Sequence, residues 1–155
     1  MAVVRDIFKF LKYFTINEKD YAGRPNAWGD VTQVNGLLLR LMDEWRIEAG
    51  AACSIHAAYA KSGHSSASEH YRGDAIDCHF KGISLWKAYS ALQTVLKRYN
   101  LQDRVGIGIY FWWASPGFHF DLRGFGLTWY SLSANNYIYD KAKAEALMKQ
   151  KAGIK

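Results

Sequence analysis

Two histidines and an aspartate are the residues whose types and spacing point most directly to chemistry. His70 and Asp77 lie in SASEHYRGDAIDCHF, residues 66–80, and His119 lies far downstream in GFHFDLR, residues 117–123. If 75–80 and 117–123 are strands, alternate side chains share a face. Asp77 and His79 then point one way, with Ile76, Cys78 and Phe80 behind them. His119, Asp121 and Arg123 likewise share a face, with Phe118, Phe120 and Leu122 behind. Two such polar faces on neighbouring strands would line one cleft. Two imidazoles and one carboxylate suit zinc and leave a fourth position open, which is the catalytic arrangement. Gly73 permits the sharp turn that would bring His70 and Asp77 to one point. A plainer reading of the same spacing also stands: His70 and His119 as surface or hydrogen-bonded core residues, and His79 as a polar neighbour.

The elements that must position these residues can be read from apolar periodicity. In MAVVRDIFKFLKYFTI, Val3, Val4, Ile7, Phe8, Leu11 and Phe14 recur at helical spacing, with charges breaking any continuous apolar run. This predicts a short amphipathic helix and not a secretory signal. A helix starting in DVTQVNGLLLRLMDEWR, residues 30–46, and ended by Gly50 follows, with Asp30 as cap, Gln33 completing a capping box, and a stripe of Val31, Val34, Leu37, Leu38, Leu41, Met42 and Trp45. Strands are expected at 52–57 and 75–80, separated by the polar loop KSGHSSASEHYRG. Ser84 caps a helix that turns Leu85, Tyr89, Leu92, Val95, Leu96 and Tyr99 inward. VGIGIYF and GFHFDLR form a strand pair joined through WWASP, and a last helix spans roughly 140–151. The order predicts an α+β domain built on a small antiparallel sheet flanked by helices.

Composition sets the outer bounds. The chain has 155 residues, long enough for one well-packed domain, and residues 1–155 are read as a single unit. Half the residues are hydrophobic and 22% are charged, which excludes a disordered chain. Twenty basic against fourteen acidic residues give +6, suited to an anionic partner. No apolar run approaches the ~20 residues of a membrane span. Cys53 and Cys78 sit in apolar, strand-like surroundings and read as two buried thiols in preference to a bridge.

The motif SEHYRGDAIDCHF resembles the S-x-H-x-x-G-x-A-x-D signature of zinc peptidases of the D-Ala-D-Ala carboxypeptidase and murein endopeptidase superfamily. The amino-terminal domain of hedgehog shares their fold. Ser68, His70, Gly73, Ala75 and Asp77 carry the first half of the resemblance. Gly106, Gly108, Tyr110, His119, Asp121, Arg123 and Trp129 carry the second, in GIGIYFWWASPGFHFDLRGFGLTW. It covers roughly residues 30–130, leaving 1–29 and 130–155 as extensions. The resemblance implies a hedgehog/DD-peptidase-like fold and one zinc ion held by His70, Asp77 and His119.

Two departures from the pattern bear on mechanism. Several relatives place an acidic base three residues before the last histidine, where this chain has Pro116. Asp121 is the substitute candidate for catalysis, with orientation of a histidine ligand as its alternative role. Relatives often carry an arginine upstream of the first ligand. Here the stretch is HAAYAKSGH, in which Tyr59 can match but the arginine is absent. His56, Tyr59, Lys61, His64 and Arg123 are the candidates to replace it, and Tyr59 and Arg123 are taken as substrate-binding.

The expected function is therefore a zinc metallopeptidase of endopeptidase or carboxypeptidase type that cuts peptidoglycan stem peptides or cross-links. Such a chain resembles phage or prophage endolysins, made in the cytoplasm without a signal peptide and acting at the bacterial cell wall. A monomer is expected. The rival is a zinc-binding module of the same fold without hydrolysis. Nucleic-acid binding has only the charge and the aromatics in its favour, without recognition-helix or zinc-finger spacing.

Overall fold

The structure, a computed structural model, describes residues 7–20 and 22–154. The motif strand β2 (Ala75–Phe80) follows the predicted alternation, with Ile76, Cys78 and Phe80 buried on its apolar side. It pairs antiparallel with β4 (Gly117–Asp121), which sets Asp77 opposite His119 and Ala75 opposite Asp121. β1 (Cys53–Ala57) lies outside β2, and β3 (Gly106–Tyr110) lies outside β4, both antiparallel to their neighbours. A fifth strand, β5 (Leu127–Ser131), lies outside β3 and runs parallel to it. The sheet order is β1-β2-β4-β3-β5.

The sheet is therefore mixed, and the expectation of an antiparallel sheet is corrected. Residues 122–126 cross over the start of β3. The N–H of Gly124 donates to the Arg104 carbonyl at 2.9 Å and that of Leu127 to Val105 at 3.1 Å. The chain thus emerges beside β3 with the direction of β3, without the long crossover that parallel strands usually need.

Three helices among the described residues complete the α+β fold. Trp45 of α1 (Gly36–Ala49) centres the apolar face, its ring 4.8 Å from Phe80, 5.3 Å from Phe118 and 5.9 Å from Phe120. Its indole N–H donates to the Ala88 carbonyl of α2 (Leu85–Arg98) at 2.7 Å, locking the two helices over one sheet face. Truncation of Trp45 to alanine is worth about 3–5 kcal/mol. α3 (Lys141–Lys151), capped by Asp140, buries Ala144 and Met148. The Tyr89 hydroxyl of α2 donates to its Glu145 at 2.8 Å. Tyr99, expected to face inward, is instead partly exposed, and its hydroxyl donates to Glu44. No helix among the described residues is long and apolar enough to cross a membrane.

The helix expected from Asp30 to Gly50 ends at Gly50 as expected but is broken at its start. Asp30 caps only a 3-10 turn at Val31–Gln33, and Asn35 caps α1. The break has a cause: the N–H of Asn35 donates to the Gly73 carbonyl at 2.9 Å, and its side chain donates to Asp74 at 2.8 Å. The chain leaves helical geometry to hold the turn between His70 and β2.

Residues 1–6 of the expected amino-terminal helix lie outside the described residues; after Ile7 the chain makes a 3-10 turn, Phe8–Phe10, and residues 11–14, also expected in the helix, are not helical. Buried Asp43 accepts from the N–H groups of Lys12, Tyr13 and Phe14 at 2.8–3.2 Å, which captures donors a helix would have used. Phe8, Phe14 and Trp28 then pack edge to face. The strap runs on along the outer edge of β1, where Ala27 donates to the Ile55 carbonyl and the Asn26 side chain accepts from the Ile55 N–H. At the opposite edge, Tyr130 of β5 exchanges two hydrogen bonds with Ile138.

Candidate metal centre

The turn before β2 is built to present His70. Ser68 caps the 3-10 turn Glu69–Arg72 by accepting from the His70 N–H at 3.3 Å, and Gly73 ends it in the left-handed region at φ 74°. A Cβ at Gly73 would stand 1.7 Å from the Gln33 carbonyl oxygen, so no other residue fits this approach. The His70 side chain is almost wholly buried. Its Nδ1–H donates to the Ala58 carbonyl at 2.7 Å, which leaves Nε2 as the lone-pair nitrogen. That Nε2 is buried and has no hydrogen-bond partner. Asp77 Oδ1 lies 3.3 Å from it, off hydrogen-bonding geometry.

His119 is oriented in the same manner by a different group. Its Nε2–H donates to Asp121 Oδ2 at 2.7 Å, so Nδ1 faces Asp77 Oδ1 at 2.9 Å. The structure thus brings His70, Asp77 and His119 together, with each imidazole fixed through its other nitrogen. For bonds of about 2.0–2.1 Å, neighbouring ligands of a tetrahedral zinc are about 3.3–3.4 Å apart. The His70–Asp77 separation already matches this, and the His119–Asp77 separation is slightly short. The donor set fits zinc.

Asp121 is fully buried behind His119. Besides His119, its carboxylate accepts from the N–H of Gly106 at 3.2 Å, and from the N–H, Nε and a terminal nitrogen of Arg123 at 3.1, 2.8 and 2.5 Å. Burial raises its pKa, but these bonds to Arg123 and His119 outweigh burial and hold it well below the usual carboxylate range. The GIGIY glycines of β3 make room for this pair. A Cβ at Gly106 would fall within 2.6 Å of the Asp121 carboxylate, and one at Gly108 would meet the Trp129 indole at 2.6 Å. Trp129 in turn flanks His119, carries the Arg123 guanidinium over its ring at 4.9 Å, and donates to the Tyr110 hydroxyl at 3.3 Å.

Sequence reading did not place His64 among the ligands. Its ring stacks on His70 with centroids 4.1 Å apart and planes 20° apart. Donor atoms of His64, His70 and Asp77 lie within 4.8 Å of one another, a cluster able to hold a metal ion. The loop carrying it had no periodicity to mark it. The Tyr71 hydroxyl fixes it, accepting from the His64 N–H at 3.0 Å and donating to the His64 carbonyl at 2.6 Å.

These groups floor a cleft of about 680 Å³. Its walls include Glu69, Tyr110, Arg123, Trp129, Tyr137 and Tyr139, the last two from a segment that sequence reading left outside the resemblance. Tyr59 does not line it; that residue packs against the core and bonds Trp28 through its backbone N–H. Pro116 lines a separate hollow of about 480 Å³. His56 and His79 pair with each other through their ring nitrogens, with Trp113 against His56, outside the cleft.

No family model matches the chain, and neither the curated proteins nor the solved structures searched include a match.

Proposed function

We propose that this chain is a zinc-dependent peptidase that hydrolyses amide bonds in peptidoglycan stem peptides or cross-links, acting at the bacterial cell wall. One observation carries the reading. His70 and His119 each spend one ring nitrogen on a fixed acceptor, so that the remaining lone pairs converge with Asp77 at the floor of a peptide-sized cleft. A zinc ion held there would polarise an amide carbonyl and activate water for its hydrolysis.

The chain's own groups divide the remaining work. Asp121 holds His119 in place, a role its saturated carboxylate supports better than proton transfer. Apart from Asp77, Glu69 is the one carboxylate among the described residues lining the cleft, which makes it the proton carrier. Arg123 is already paired with Asp121, which favours an internal peptide bond over a terminal carboxylate as the target. The net charge of +6 suits an anionic wall.

The test is mass spectrometry of purified muropeptides after incubation with zinc-loaded protein, chelated protein and the His70→Ala variant. New fragments from the loaded wild type alone support the reading. Unchanged muropeptides in all three would sink it. They would favour a zinc-binding module without hydrolysis, a reading that Pro116 and the saturated Asp121 support.

A further inference from the structure

We propose that His64 is a releasable fourth protein ligand, so that the resting centre is closed by His64, His70, Asp77 and His119 and opens when the loop around residue 64 swings away. The inference rests on the metal-site reading above and concerns the state of that site. Three of the four donors belong to the sheet and its motif turn and are largely buried. The fourth is half-buried on the loop between β1 and the Glu69–Arg72 turn, whose residues 61–63 and 65–67 are all exposed. His64 donor geometry places it within 4.8 Å of the other two members of its cluster. To close the centre, the His64 ring, now stacked on His70, must turn so that its lone pair reaches the metal, at edges of about 3.3–3.4 Å.

Two features make this ligand removable. Gly63, immediately before it, sits at φ 90°, a conformation glycine adopts without strain. The backbone N–H and carbonyl of His64 are both bonded to one hydroxyl, that of Tyr71. Four protein ligands mark a closed, structural zinc site, whereas three plus an open position mark a catalytic one. A ligand on an exposed loop, held by the Tyr71 hydroxyl and by stacking on His70, permits both states in a single protein.

Cobalt(II) substitution of the full chain tests this, with acetohydroxamate as an added ligand. Wild type is expected to show intense four-coordinate visible bands that resist acetohydroxamate. His64→Ala is expected to keep one cobalt per chain with affinity lowered no more than about 10–100-fold, the range of an accessory group. Its bands should weaken and respond to acetohydroxamate at lower concentration. Tyr71→Phe, which keeps all four ligands, should lie between the two. Identical spectra and identical acetohydroxamate responses in wild type and His64→Ala would overturn the proposal. So would complete loss of metal in His64→Ala, which would make His64 a principal ligand. If wild type binds no cobalt, or His70→Ala and His119→Ala bind it as well as wild type, the metal-site reading itself fails.

Discussion

Asp77 Oδ1 lies 2.9 Å from His119 Nδ1, a contact between two acceptors unless something positive stands between them. A bound cation is one way to supply it, and a proton is the other. Burial opposes that proton, but hydrogen bonds to Asp121 and Asp77 outweigh burial and push the His119 imidazole up to about 9. Metal and proton therefore compete for one position.

Zinc binding near neutral pH should thus release about one proton from His119. Calorimetry in buffers of different ionisation enthalpy measures it. For chelated protein the sign is fixed by a folded value of about 9 above the unfolded value of ~6.5. The folded state holds the extra proton in that window, so stability is full below pH ~6.5 and falls as pH rises through about 9. Flat stability from pH 6.5 to 9 would contradict this.

Asp121→Asn separates orientation from catalysis. An orienting role predicts metal affinity lowered by ~10–100-fold, with turnover recovering as zinc is added. A direct proton-transfer role predicts turnover reduced by ~10²–10⁴ at every zinc level. A zinc titration of muropeptide cleavage distinguishes the two.

Gly73→Ala should cost more than about 1 kcal/mol, because the left-handed backbone is strained and the new Cβ has no room. The obstruction is backbone, the Gln33 carbonyl, so relief must move the turn that carries His70. Chemical denaturation and zinc affinity should both register the change. A normal affinity in a folded variant would show that His70 does not depend on this approach.

His79 supplies an acid-side signal. Burial and the neighbouring His56 lower it to about 4, below its unfolded value. Its contribution is present above pH ~6.5 and is lost as pH falls toward about 4. His79→Asn should reduce the slope of the stability curve in that interval.

Thiol titration of denatured, unreduced protein should find two groups, since Cys53 and Cys78 are free and buried. In the native protein both should react slowly, and burial also raises the Cys78 pKa well above the ordinary thiol range. A titration that finds none would establish a bridge.

Much of this was legible in advance because period-2 alternation is a local signal. It placed Asp77 with His79, and His119 with Asp121, and the ladder then set Asp77 against His119. What remained hidden depends on distant partners. The direction of β5 follows from the hop over β3, the break before α1 from Asn35 reaching Gly73, and the non-helical path of residues 12–14 from Asp43. His64 and Tyr137 sit in segments without periodicity, and only the folded chain shows where they go.

The covered sheet edges have a consequence for how a peptide could be held. A guest chain cannot join β1 at Ile55, whose backbone N–H and carbonyl are already bonded to Asn26 and Ala27. At β5 the outward groups of Tyr130 are likewise taken by Ile138. Recognition by strand addition reads main chain and tolerates varied side chains. With those positions occupied, selectivity falls to the cleft's own side chains. Backbones that make poor β-strands, such as chains of mixed chirality or branched at a side-chain amine, are then at no disadvantage as guests.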